Sequence, residues 1–244
     1  MRSQVKVLLV TLALGPIVAW GPQLASRVAS LETFRITEVD VQGIQYLNRD
    51  TVVSRLAIGP ATSVWSDNTE WTERVRAHPL VEHVEIRRRF LPNGLRVSIR
   101  ERRPVALAPT PTLEPVDAYG VRLPLDPTRY AIDLPVIAAT RFPPENASVF
   151  PEEVRMLAAE LEHLTRVDEE FAGEISTVER LPDGALRIGL LDPNIEYWTP
   201  RGVNAERLRD AGAAVRHTRA QDPGMGPVVV DLRYADRIVV RRTP

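Results

Sequence analysis

Residues 78–106 read HPLVEHVEIRRRFLPNGLRVSIRERRPVA, and this stretch decides the fold. Val84 and Ile86 alternate with Glu85, Arg87 and Arg89. Leu95, Val97 and Ile99 alternate with Arg96, Ser98 and Arg100. A period of two marks a strand with one face in a core. Leu91-Pro-Asn-Gly94 separates the two runs, and Asn-Gly favours the positive φ angles of a tight hairpin turn. Strands are therefore expected at 81–90 and 95–103. Pro79 lacks the N–H that a preceding helix would need to continue, so the stretch opens as a helix-to-strand corner.

Upstream, residues 34–43 read as another strand. Phe34 and Ile36 share one parity and Val39 and Val41 the other, which predicts a bulge or a strand touched on both faces. Asn48 suits the N-cap of a helix over 48–56, stopped by Gly59-Pro60. A second helix is expected over 68–77, with Trp71 and Val75 one turn apart. The order is β-α-α-β-β, and the economical solution is a small sheet with two helices on one face.

Three pieces of this order carry a resemblance. They are Phe34-Arg-Ile36 with Val39-Asp-Val41-Gln-Gly43, then His78-Pro-Leu-Val81-Glu-His-Val84-Glu-Ile-Arg87, then Leu95-Arg-Val-Ser-Ile-Arg-Glu101-Arg-Arg-Pro104-Val-Ala. As an ordered set they resemble an FtsQ-type POTRA domain.

Downstream, Pro104, Pro109 and Pro111 mark a stiff crossing into a second unit. Residues 116–123 read as a hairpin about Ala118–Gly120. Residues 151–167 read as a helix with an apolar stripe of Val154, Leu157, Ala158, Leu161 and Leu164. Pro151 suits its first position, and Glu152 and Glu153 suit the positive end of its dipole. Strands are expected at 175–181 and 185–191, joined at Pro182-Asp-Gly184, and a helix at 204–218. The chain ends in two further strands, 228–234 and 237–242, with Val228, Val230, Leu232 and Tyr234 sharing a face. This DLRY-containing ending is similar to that of the FtsQ/DivIB cell-division proteins.

From Val7 to Ser26 there are 20 consecutive uncharged residues, with Arg2 and Lys6 before them and Arg27 after. About 20 residues span a bilayer core. A cleaved signal peptide would fit the basic and apolar regions but lacks a small-residue cleavage site. The expectation is a retained signal anchor, with Val7, Leu8, Leu9, Val10, Leu12, Leu14, Ile17, Val18 and Trp20 in the membrane and the N-terminus inside. The full expectation is an α+β protein. It comprises a cytoplasmic tail (1–6), a single transmembrane helix (7–26), a linker (27–33), a POTRA domain (34–103), and a second mixed domain (104–244). That second domain is expected to hold a largely antiparallel sheet ending in an edge strand.

Composition narrows the function. Lys+Arg 31 against Asp+Glu 32 gives a net charge of -1 in 244 residues, which excludes a surface built wholly for nucleic acid. With no Cys there is no disulfide framework, thiolate zinc site or Cys nucleophile. His78-Pro-Leu-Val-Glu82-His83 is one residue too long for the H-x-x-E-H zinc pattern, and Pro79 breaks the helix it needs. No G-x-S-x-G and no S-x-x-K occurs. The reading is a protein that is not an enzyme, with no cofactor, no metal and no small-molecule substrate. Between residues 81 and 103, seven Arg face three Glu. Either a solvated strand face or contact with anionic headgroups, wall polymer or an acidic partner would explain that.

A chain-terminal strand is commonly an edge, and an edge offers unpaired N–H and C=O groups to another protein's extended segment. Arginines at 237, 241 and 242 would repel a second copy and attract an acidic strand. The resemblance implies that the last sheet receives a segment of FtsB, from the FtsB–FtsL pair, in a division scaffold linked to septal wall synthesis. The residues it points to are Arg233, Tyr234, Arg237, Ile238, Val239, Val240 and Arg241. It also implies location at the division septum in the inner membrane, with the folded domains outside. The alternatives are a POTRA-type chaperone for envelope assembly, or a cleaved periplasmic enzyme.

Overall fold

The computed structural model describes residues 34–90, 92–110, 112–139, 147–191, 195–224 and 226–242. The chain divides into two compact units, one ending at Glu101 and the other beginning at Arg102.

The first unit contains β1 (Glu38–Gln42), α1 (Arg49–Leu56), α2 (Thr69–Arg76), β2 (Val81–Phe90) and β3 (Asn93–Glu101). Its sheet has the order β1-β3-β2, with β1 parallel and β2 antiparallel to the central strand. The alternation of the Arg-rich hairpin holds, because Val84, Ile86, Leu95, Val97 and Ile99 are all buried. Asn48 caps α1 by accepting the Asp50 N–H at 2.9 Å. The helix ends at Leu56, as expected, where Ala57 takes a left-handed conformation with φ 49°. Trp71 and Val75 of α2 are buried. The ring of His78 accepts the Leu80 N–H at 3.1 Å, so this histidine holds the corner before β2. Leu91 of the expected turn lies outside the described residues.

The hairpin arginines are largely neutralised. Arg87 pairs with Glu85, Arg89 with Glu38, Arg96 with Asp40 and Arg100 with Glu82. This fits a laced, solvated strand face.

The second unit contains β4 (Ala106–Pro109), β5 (Leu113–Val116), β6 (Val136–Ala138), α3 (Glu152–Val167), α4 (Glu169–Gly173), β7 (Ile175–Arg180), β8 (Leu186–Leu190), β9 (Ile195–Thr199), α5 (Ala205–Gln221), β10 (Val228–Asp231) and β11 (Val239–Arg242). One eight-stranded sheet runs β11-β10-β9-β8-β7-β6-β4-β5. Leu157, Leu161 and Leu164 of α3 and Leu208, Ala211 and Val215 of α5 share one core with Ile137, Val178, Ile188, Tyr197 and Val230 of the sheet. Both long helices therefore cover the same face.

The expected fold class needs two corrections. Among the described residues no helix is long and apolar enough to cross a membrane, so the architecture seen is α+β without a transmembrane helix. The tail 1–6, the expected anchor 7–26 with Val7, Leu8, Leu9, Val10, Leu12, Leu14, Ile17, Val18 and Trp20, and the linker 27–33 lie outside the described residues. The second sheet is also more mixed than expected. The pairs β9–β10, β6–β7 and β4–β6 are parallel, because helices or long crossings carry the chain back between those strands. A smaller difference concerns Pro151, which stands at the N-cap rather than inside the helix.

Candidate functional site

The site is the terminal hairpin, β10 and β11, with the residues that hold it. Val228, Val229, Val230 and Asp231 are all buried, which makes β10 an interior strand. β11 runs antiparallel to it, with Val239 opposite Asp231, Val240 opposite Val230 and Arg241 opposite Val229. It stands last in the strand order, and no described strand pairs with its other side.

The ladder tells which of its backbone groups are free. The Leu232 N–H donates to the Trp198 carbonyl at 2.7 Å. Successive residues of a strand aim their backbone groups to opposite sides. Val230 and Leu232 therefore serve β9, and Val229 and Asp231 serve β11. Their partners Arg241 and Val239 are the bonded pairs, so Val240 and Arg242 turn their N–H and C=O groups outward.

The expected residues sit as follows. Tyr234, Ala235 and Asp236 form the loop, with Tyr234 47% exposed and the Arg237 guanidinium 5.5 Å from the centre of its ring. Arg237 and Ile238 precede the strand instead of starting it. Ile238 and Val240 pack against the core from the helix-covered face. Arg233 does not reach the rim. Its side chain bonds Asp231 at 2.7 and 2.9 Å and Asp183 at 2.5 Å. These bonds hold the Asp231 carboxyl below the usual carboxylate range, against the opposing pull of burial. Asp183 is lowered too, first by the Ala185 N–H and then by Arg233.

Four holding residues were not read from the sequence. The Trp198 ring of β9 has the guanidinium groups of both Arg233 and Arg241 4.6 Å from its centre. Arg207 of α5 donates to the carbonyls of Tyr234 and Arg237, the latter at 2.6 Å, and ties the loop to the helix. Asp222, at the end of the same helix, accepts from Arg242 at 2.5 Å. Asp183 anchors Arg233. The signal for Trp198 was present, since Ile195-Glu-Tyr-Trp-Thr199 alternates in β-favouring residues. Pro193 and Pro200 make the run look like a loop.

The strand is thus clamped at its loop, its middle and its far end by its own chain, and among the described residues no strand pairs with its outer rim. A preformed edge of this kind needs little ordering before another strand can add to it.

Residues 34–102 match the profile of the POTRA domain, FtsQ-type. Over 141 residues the chain is 30% identical to the cell division protein FtsQ of Myxococcus fulvus (strain ATCC BAA-855 / HW-1), covering 56% of this chain and 49% of that protein. It is 22% identical over 227 residues to the cell division protein FtsQ of Geobacter sp. (strain M21), covering 91% of this chain and 81% of the relative. The FtsQ of Salinibacter ruber (strain DSM 13855 / M31) is 24% identical over 221 residues, 86% of this chain and 83% of its own. The match therefore spans about half the length of the Myxococcus protein and about four-fifths of the other two.

Proposed function

Because the chain belongs to the FtsQ/DivIB family, we propose that it is a non-enzymatic scaffold of bacterial cell division whose last strand, β11, receives an extended segment of an FtsB-like protein. Through that contact it recruits the FtsB–FtsL pair at the division site and links it to septal wall synthesis. The observation that carries the reading is the open outer side of β11, with the backbone groups of Val240 and Arg242 aimed into it. Tyr234 and Arg237 stand at the entrance to this rim. Arg241 favours an acidic partner and opposes pairing of two copies, while Arg242 is paired with Asp222.

Proline substitution tests the mechanism, because it deletes one N–H. In Val240→Pro the lost donor points outward, so the β10 ladder survives while an added strand loses a bond. Expected is loss of co-purification of the FtsB-like protein with a thermal transition close to that of Val240→Ala, which loses the same core contact. Val240→Ala keeps the N–H and should keep capture. Tyr234→Ala should weaken capture without unfolding. Full capture by Val240→Pro, with the fold retained, would refute strand addition.

A further inference from the structure

We propose that the first unit carries a second contact surface, an aromatic patch that rests in the headgroup region of a phospholipid bilayer. The patch goes beyond the strand-addition reading and is independent of it. Trp65 stacks edge-on against Phe34, with ring centres 6.2 Å apart, and tilts against Phe90 at 5.2 Å. Trp65 is 52% exposed and Phe90 47% exposed, while Phe34 is half-buried. Two exposed rings, one of them packed on a half-buried third, are an apolar patch that calls for an occupant.

The position of the patch in the chain names that occupant. Phe34 is the first described residue, and only the seven residues 27–33 separate it from the uncharged run that ends at Ser26. Seven residues reach at most about 25 Å. A run of 20 uncharged residues this apolar has affinity for a bilayer, so the patch is tethered within reach of one. Indole rings favour the boundary between headgroups and acyl chains. The rim is mixed in charge. Arg88 donates to the Ser66 carbonyl beside Trp65 at 3.1 Å, but Asp67 lies next to it, and Arg89 is paired with Glu38. The rings, and not a basic field, carry the attraction.

The absence of Cys permits a local probe on the full-length chain. A single Cys is placed by Phe90→Cys, or separately by Trp65→Cys, and labelled with a polarity-sensitive fluorophore. Each protein is mixed with vesicles of phosphatidylcholine and phosphatidylglycerol. Tyr119→Cys, at an exposed aromatic of the second unit, is the control. Expected is a blue shift at positions 90 and 65, with loss of quenching by aqueous iodide, and no change at 119. Three results would overturn the proposal. One is an unshifted label on protein that sediments with the vesicles. The second is an equal shift at 119. The third is a label already blue without lipid, which would mean that another part of the chain or a second copy covers the patch.

Discussion

At the scale of single residues, two positions of the motifs that carry the resemblance, Gly43 and Glu101, are structural. Gly43 has φ +79°, and a Cβ there would lie 2.1 Å from the Ile99 carbonyl oxygen, so only glycine lets β1 end against β3. The carboxylate of Glu101, buried to 8% exposure, accepts the N–H groups of Gln45, Tyr46 and Leu47 at 2.8–2.9 Å. The two motif residues, far apart in sequence, serve one turn. Glu101→Ala leaves three donors without their acceptor and should cost about 3 kcal/mol, measured by urea unfolding. Glu101→Gln should cost less, because one acceptor oxygen remains. Asp231 gives a pH prediction. Its carboxyl is depressed in the folded state, so its contribution is full above the ordinary value near ~3.9 and is lost as pH falls through the lower native value. Asp231→Asn should therefore destabilise most at neutral pH, with the gap to the parent closing below about pH 4. A gap that stays constant into acid would contradict the charged pairing with Arg233.

At the scale of elements, the terminal hairpin depends on a neighbour remote in sequence. Arg207 grips the loop from α5, so Arg207→Ala should speed amide exchange from Tyr234 to Val240 and lower partner capture, while exchange in β7 and β8 stays unchanged. Elements built from local pattern were legible in the sequence. The Arg-rich hairpin, the capped α1 and the apolar stripe of α3 follow from their periods and an N-cap, but Asn93 and Gly94, expected in the turn, lie in β3, with Asn93 opposite Phe90. The short strands β4, β5 and β6 were not legible, because Pro109 and Pro115 stand inside the first two and the three residues of β6 carry no period. β9 was hidden by its flanking prolines. β11 begins two residues later than its pattern suggests, because Arg237 offers its carbonyl to Arg207 instead of joining the ladder.

At the scale of the whole chain, the sequence indicated that the last strand would be an edge but not what it would border. Strand order across a sheet depends on contacts distant in sequence, and three of its seven pairings here are parallel, made across long connections. The placement of β10 between β9 and β11 determines which backbone groups remain free. Arg233, expected at the partner surface, is held by Asp231 and Asp183 of its own chain. The central claim is that an added strand completes the ladder at the outer side of β11. The most direct test is hydrogen exchange at the Val240 amide, with and without a bound FtsB-like segment. Fast exchange in the free chain and strong protection in the complex is the expected result. A complex that forms while that amide exchanges as fast as before would contradict the account.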